Sequence, residues 1–461
     1  MLQKKPDLVK IGDFSLSLDM QRLTLVGLSL VAKILARLSQ ILKQGSGTSL
    51  PGLLVEKFFL WAFEGWHEVY EQVIMISGTN GKTTTRALLV AIFEAEGYRV
   101  CTNRGGANIL RGVCTSLLFD LHWSGRPKSK VAILEVEEAS LPLLTKYFLP
   151  TDLILTNLFR DQLDAYGEID KTLGYFQKTV INVSAKQKLG KLRVLVNADD
   201  PRLSGEALGW GVELWGFGLD LPADQKPAFE SSDTVQWPSQ SPLFLGKNIT
   251  FGEGSYGFEL DFRGERLKFE TKLNGLYNLY NVLAASLIGL EKFGPKIRQA
   301  VQSIRPVFGR GEMVELANNK LVLYLVKNPA GFDMVLQTLR QIQTDQKFSL
   351  AVLINDKIAD GRDVSWLWDI HLEDFVRSLP AGRLSRVVTG GTRGLDMLLR
   401  FQIAGQPVVL ADNFDSLDDL VDFLEREKGF WVVLCTYTAL LELRAKLSRK
   451  VNLPQISEAG N

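Results

Sequence analysis

A short apolar run, Val73-Ile74-Met75-Ile76-Ser77, leads directly into Gly78-Thr79-Asn80-Gly81-Lys82-Thr83-Thr84, and from Thr83 to Glu96 the apolar residues return with helical spacing. No other segment restricts the fold as much. A strand must deliver the loop, and a helix must begin where it ends. Glycines let the backbone turn tightly enough for successive N–H groups to face one concavity, and the helix N-terminus adds positive potential there. In such loops the lysine reaches the outer phosphates of a nucleotide and the following hydroxyl ligates Mg²⁺. The spacing G-x-x-G-K-T is shorter than the usual phosphate loop. The competing reading is a Gly-Lys-Thr turn that merely caps a helix. The strand before it, the helix after it and the run Thr83-Thr84-Thr85 favour nucleotide phosphate, held by Gly78, Thr79, Asn80, Gly81, Lys82, Thr83 and Thr84.

Beyond the loop, strands and helices alternate. Tyr98 to Thr102, Val131 to Val136, Leu153 to Leu155 and Val194 to Val196 are β-rich runs with helical patterns between them. Alternation of this kind predicts parallel βαβ units. Between 219 and 251 the character changes, with Pro222, Pro227, Pro238 and Pro242 among polar residues, and an irregular insertion is expected. Alternating residues from Gly252 to Glu270 then predict short antiparallel strands. Asn278 to Phe293 reads as a helix, and Arg305 to Gly311 as a domain junction. Val322 to Val326, Leu350 to Ile354, Arg386 to Thr389, Val408 to Leu410 and Trp431 to Cys435 predict a second, smaller α/β unit of Rossmann type.

With 461 residues, two or three domains are expected. The 53 basic and 52 acidic side chains leave a net charge of +1, so no global field draws the chain to nucleic acid. Three cysteines, Cys101, Cys114 and Cys435, are too few and too scattered for a disulfide framework or a zinc ribbon, and each is expected as a small buried hydrophobe. Three histidines make a His-based metal centre equally improbable. No secretory leader is read at the start. The segment 21–43 is apolar but broken by Lys33 and Arg37, and reads as an amphipathic helix that either packs on the domain or rests on a membrane surface.

The shortened loop is typical of Mur ligases and folylpolyglutamate synthases. Further stretches narrow the likeness: Asn103 to Asn108, Glu135-Val136-Glu137-Glu138-Ala139, Asn157 to Glu168, Asn197 to Pro201, Gly275 to Asn281, Val326 to Phe332, Asn355 to Trp366 and Thr436 to Ala439. In this order they resemble the MurT-like synthetase subunits of lipid II isoglutaminyl synthase over nearly the whole chain. Gln162 stands where stand-alone Mur ligases usually carry His. The room before the loop is also too short for their UDP-binding domain.

The resemblance implies a Mur ligase-like P-loop ATPase domain with a parallel central sheet over 1–306. A smaller Rossmann-like C-terminal domain follows over 307–461. It implies ATP and Mg²⁺, and amidation of the D-glutamate α-carboxylate of the lipid II stem peptide through an acyl phosphate. Ammonia would come from a glutaminase partner resembling GatD. The few, scattered cysteines fit a reducing cytoplasm, with the inner membrane face as a further option. Glu135 then joins Thr83 as a Mg²⁺ ligand, with Glu137 and Glu138 as weaker candidates. Asn157, Arg160 and Asp161 gather at the next strand end, and Gln162 puts a second metal in doubt. Asn278 or Asn281, more the former, faces the adenine, and Arg310 reaches the phosphates on domain closure. Either Asp360 or Asp363, with the balance toward Asp363, completes a Cys-His-Asp triad in the partner. Against each stands a plainer role as cap, turn or linker. No zinc is expected, because the four-cysteine ribbon common in such chains is absent from 200–250. Two other functions compete: a self-sufficient Mur-type or folylpolyglutamate-like amino-acid ligase, and a nucleotide-binding interaction protein without catalysis.

Overall fold

The computed structural model describes residues 8–11, 14–41, 49–103, 107–159, 169–186, 192–222, 225–227, 229, 235–252, 255–305, 309–317, 319–341 and 347–453. The chain opens on an antiparallel hairpin, Leu8–Ile11 (β1) with Phe14–Ser17 (β2), followed by the helix Leu18–Ile41. Among the described residues no helix is long and apolar enough to cross a membrane.

A nine-stranded sheet follows. Its strands are Gln72–Ser77 (β3), Val100–Thr102 (β4), Val131–Glu135 (β5), Asp152–Leu155 (β6), Arg193–Asn197 (β7), Glu213–Leu219 (β8), Leu243–Gly252 (β9), Ser255–Phe262 (β10) and Glu265–Thr271 (β11), ordered β11-β10-β9-β8-β7-β6-β3-β5-β4. From β4 to β9 all neighbours are parallel; β10 and β11 close the far edge antiparallel. The apolar runs exist because this sheet is covered on both faces. With a side-chain period of two, Val73, Met75, Leu134, Leu153 and Val194 fill one core, while Ile74, Ile76, Ile133, Ile154 and Leu195 fill the other. The second core also takes the helix Leu276–Phe293, whose residues from Leu279 to Leu290 are almost all buried.

A second sheet has the order β12-β13-β17-β14-β15-β16, from Arg310–Leu316 (β12), Asn319–Leu325 (β13), Phe348–Leu353 (β14), Leu384–Gly390 (β15), Asn413–Phe414 (β16) and Phe430–Cys435 (β17). All pairs are parallel except β12 with β13. The same alternation splits its cores: Val322, Leu350, Val352 and Val432 point one way, Leu321, Ala351, Val388 and Val433 the other.

Three local expectations change. The stretch expected to be irregular up to 251 holds β9 from Leu243 onward, because Phe244 packs on Trp215 and the strand bridges β8 to β10. Arg310 and Gly311, read as part of a junction, already belong to β12. Val408 to Leu410 is not a strand; the Val409 N–H donates to the Asp412 carboxylate in a short 3₁₀ turn, and edge pairing starts only at Asn413. All three cysteines are buried and unbridged.

Candidate functional site

Because β3, β5, β6 and β7 run parallel, their carboxyl ends share one edge, where ligands collect in open α/β sheets. The loop after β3 occupies the middle of that edge. Gly78 (φ 124°) and Gly81 (φ 91°) adopt backbone that L side chains rarely take. A Cβ at Gly78 would lie 2.3 Å from Thr156 Oγ1, and one at Gly81 would lie 2.2 Å from Asn281 Oδ1. The loop is held from below. Thr79 N–H donates to the Asn157 carbonyl at 3.0 Å, Asn80 N–H to Asn157 Oδ1 at 2.8 Å, and Thr156 Oγ1 to the Asn80 carbonyl at 2.7 Å.

Lys82 begins the helix Lys82–Ala95, and its ammonium folds back over the loop. It donates to the Gly78 carbonyl and, at 2.8 Å, to Glu138 Oε1, in a pair that is nearly sealed from solvent. Thr83 Oγ1 donates to Glu135 Oε1 at 3.1 Å, and Asn108 Nδ2 reaches the same oxygen at 3.3 Å. Asn103 clamps the Glu135 backbone from both sides, accepting from its N–H at 2.9 Å and donating to its carbonyl at 2.8 Å. The other oxygen, Glu135 Oε2, is buried with no hydrogen-bond partner among the described residues; Arg86 Nε lies 3.7 Å away. A hydroxyl and a buried, under-satisfied carboxylate beside a phosphate cradle are the hard oxygen donors that suit Mg²⁺. Burial and the neighbouring Glu138 push the Glu137 carboxyl above the usual carboxylate range, with Ser140, Lys82 and Lys327 opposing.

The helix Leu276–Phe293 contributes Asn281, which lines a narrow recess with Asn80, Asn157, Asn197, Phe229 and Tyr280. Asn278 lies behind it, fully buried, accepting from Asn281 Nδ2 at 3.1 Å and donating to the Asn274 carbonyl at 2.7 Å. Of the two asparagines, the lining one is therefore Asn281. Arg310, at the start of β12, and Lys327, just after β13, line an adjoining recess with Asn80, Gly81, Thr84 and Gly331. Arg160, Asp161 and Gln162 fall outside the described residues.

The two candidate aspartates, Asp360 and Asp363, separate cleanly. Asp360 is buried, and its carboxylate accepts from Thr438 N–H at 2.7 Å and Thr438 Oγ1 at 2.5 Å. Asp363 is only partly covered, and its carboxylate accepts a local bond from Ser365 N–H at 2.8 Å, which together with the Ser365 side chain lowers its pKa.

Local patterns could not reveal the Lys82–Glu138 pair, the Asn103 clamp or Arg86, since the partners are tens of residues apart. A second feature escaped as well. His371 Nδ1 pairs with Asp333 at 2.7 Å beside a cavity of about 180 Å³ that Phe159, Lys226 and Arg340 also line, between the two sheets. The Asp333 bond raises the His371 pKa, while burial raises that of Asp333.

Two family models match the chain: Mur ligase middle domain over residues 76–289 and MurT ligase C-terminal over residues 325–440. Among curated proteins, the lipid II isoglutaminyl synthase (glutamine-hydrolyzing) subunit MurT of Streptococcus pneumoniae is 29% identical over 432 residues, covering 88% of this chain and 93% of that protein. Its namesake from Staphylococcus aureus is 27% identical, covering 87% and 93%. Among solved structures, MurF ligase from Thermotoga maritima in complex with ADP aligns with a TM-score of 0.63 at 17% identity, covering 87% of this chain and 85% of that one. Folylpolyglutamate synthase from Mycobacterium tuberculosis aligns with a TM-score of 0.59 at 16% identity, covering 93% and 100%.

Proposed function

This chain belongs to the Mur ligase family, on its MurT-type branch, and from that premise we propose that it is the ATP-dependent synthetase subunit that amidates the D-glutamate α-carboxylate of the lipid II stem peptide. The reaction belongs to peptidoglycan synthesis and yields D-isoglutamine. A carboxylate is a poor electrophile; phosphorylation by ATP converts it to an acyl phosphate with a good leaving group. Ammonia then forms the C–N bond and phosphate departs with the C–O electron pair.

The observation that carries this reading is the glycine loop with Lys82 above it and the Thr83–Glu135 oxygen pair at its side. Backbone N–H groups and Lys82 stabilise charge on the transferring phosphoryl group, and they are already oriented before reaction. Thr83 and Glu135 are the residues that would hold Mg²⁺, which would supply Lewis-acid polarisation of phosphate oxygens. Lys82 must leave Glu138 to meet the nucleotide, so Glu138 acts as its resting counter-charge. Asn281 would border the base, and Arg310 and Lys327 would bring positive charge from β12 and from the loop after β13.

The nitrogen source is a partner glutaminase resembling GatD, joined in a heterodimer. Asp363 is the residue we assign to the partner's histidine, because its carboxylate is only partly covered while that of Asp360 is engaged by Thr438. We place the enzyme in the cytoplasm, at the inner face of the membrane that carries its substrate. The test is reconstitution with the glutaminase partner, ATP, glutamine and lipid II, read by mass spectrometry. Amidated lipid II is expected, and Lys82→Ala abolishes it. ATP hydrolysis without amide, or ligation of a free amino acid in the partner's absence, overturns the reading.

A further inference from the structure

The helix Leu18–Ile41 has two apolar faces, and the fold uses only one of them. Gln21, Leu25, Ser29 and Ala32 turn inward; Ser29 Oγ donates to the Leu118 carbonyl at 2.7 Å. Leu23, Leu30 and Ile34 stand i, i+7, i+11 apart, hence on one line of the opposite face. All three are exposed, Leu23 by 67%, with Met20 and Val31 beside them. Isolated exposed leucines need no explanation, but a contiguous row along three turns does.

The surroundings state what kind of surface would cover it. The loop 121–130 packs along one flank of this helix: Lys33 Nζ donates to the Leu121 carbonyl at 2.6 Å, and a Cβ at Gly125 would lie 3.3 Å from Val26. At its tip Trp123 is 76% exposed. Residues 20–41 contain no carboxylate and neither do residues 121–130, whereas Arg22, Arg37, Arg126 and Lys128 are exposed there. Lys130, at the end of the loop, is paired with Glu71 at 3.6 Å. An aliphatic row, a protruding indole and exposed cations complement an anionic lipid surface, where apolar side chains enter the acyl boundary, Trp sits at headgroup level and cations meet phosphate.

We infer that the outer face of the helix Leu18–Ile41, with the Trp123 loop, docks the protein on anionic membrane. This rests on the proposed lipid-borne substrate for its purpose but not for its evidence. A second copy of the chain would have to face the same cations with its own, which disfavours a symmetric contact.

Co-sedimentation of the full chain with vesicles of equimolar phosphatidylglycerol and phosphatidylcholine tests it, against pure phosphatidylcholine. Binding to the anionic vesicles that weakens with salt is expected. Leu23→Glu with Leu30→Glu should lower it by about tenfold or more for each side chain. Arg126→Glu with Lys128→Glu, which leaves the helix untouched, should lower it by about fivefold per charge removed. Wild-type protein that stays in the supernatant, or variants that bind alike, overturns the inference. So does light scattering in which the wild type is a dimer and the leucine variant a monomer. Amidation of a water-soluble lipid II analogue with ammonium chloride separates the two readings. If the wild type fails there, the proposed reaction is wrong whatever the vesicles show. Equal rates for wild type and variants, with vesicle binding lost, sustain both.

Discussion

At the scale of single residues, two contrasts decide most of the chemistry. Gly81 has φ of 91°, and any Cβ there would meet Asn281 Oδ1. Gly81→Ala therefore strains the backbone by about 1–2 kcal/mol and displaces Asn281 from the recess. Nucleotide affinity measured by calorimetry should fall at least tenfold while circular dichroism stays unchanged. Preserved affinity would place the base elsewhere. The second contrast is Asp360 against Asp363. Asp363→Asn removes a partly covered charge and should leave the melting temperature and the ammonium-driven reaction intact while suppressing glutamine-driven amidation. Asp360→Asn keeps the shape but weakens the bonds to Thr438, so thermal stability should drop instead. The opposite pattern would transfer the triad role to Asp360.

At the scale of elements, the caps show how the site edge is tied together. Asp200 caps the helix Pro201–Ala207 by accepting from Leu203 N–H at 3.1 Å, and its other oxygen accepts from Leu158 N–H at 2.7 Å, on the loop after β6. One buried carboxylate thus joins two strand ends. Asp200→Ala strands a buried N–H as well as a cap, and should cost about 2–3 kcal/mol in urea denaturation; a loss within a few tenths would show that water replaces it. The same distinction between local and distant signals explains what could be read in advance. The phosphate loop and its flanking strand and helix were legible because all the determinants lie within some twenty residues. Both sheets were legible as β-rich runs, since strands buried on two faces must be continuously apolar. The β9 strand was hidden behind its prolines, and β12 behind the glycines around it. Val408 to Leu410 has strand composition, yet Asp412 captures its backbone. The Asn103 clamp on Glu135 and the ion pair between Lys82 and Glu138 depend on which strands become neighbours. The order β6-β3-β5-β4 is a property of the folded sheet that no window of sequence contains.

At the scale of the whole molecule, the site depends on how the two sheets meet. The glycine loop follows β3 of the first, while Arg310 of β12, Lys327 after β13 and Gly331 on the helix Pro329–Gln341 line the recess beside Asn80. A strap holds them in place. Gln337, on the helix Pro329–Gln341, donates through Nε2 to the carbonyls of Gln225 at 2.8 Å and Lys226 at 2.6 Å. Lys226 in turn pairs with Asp199 Oδ1 at 2.6 Å, and Tyr280 donates to Asp199 Oδ2 at 2.9 Å, so the strap is anchored at both β7 and the Leu276–Phe293 helix. Gln337→Leu keeps the volume and removes both donors. Each lost bond is worth about 0.5–1.5 kcal/mol, so the closed arrangement should weaken by about 1–3 kcal/mol relative to an open one. If the closed form is what presents Arg310 and Lys327 to the phosphates, as proposed, affinity for a non-hydrolysable ATP analogue should fall about fivefold or more. The radius of gyration from solution scattering should rise in the absence of nucleotide and return to the wild-type value at saturation. If the radius rises and affinity does not change, the second sheet takes no part in holding the nucleotide, and the cations it presents serve the carboxylate substrate instead.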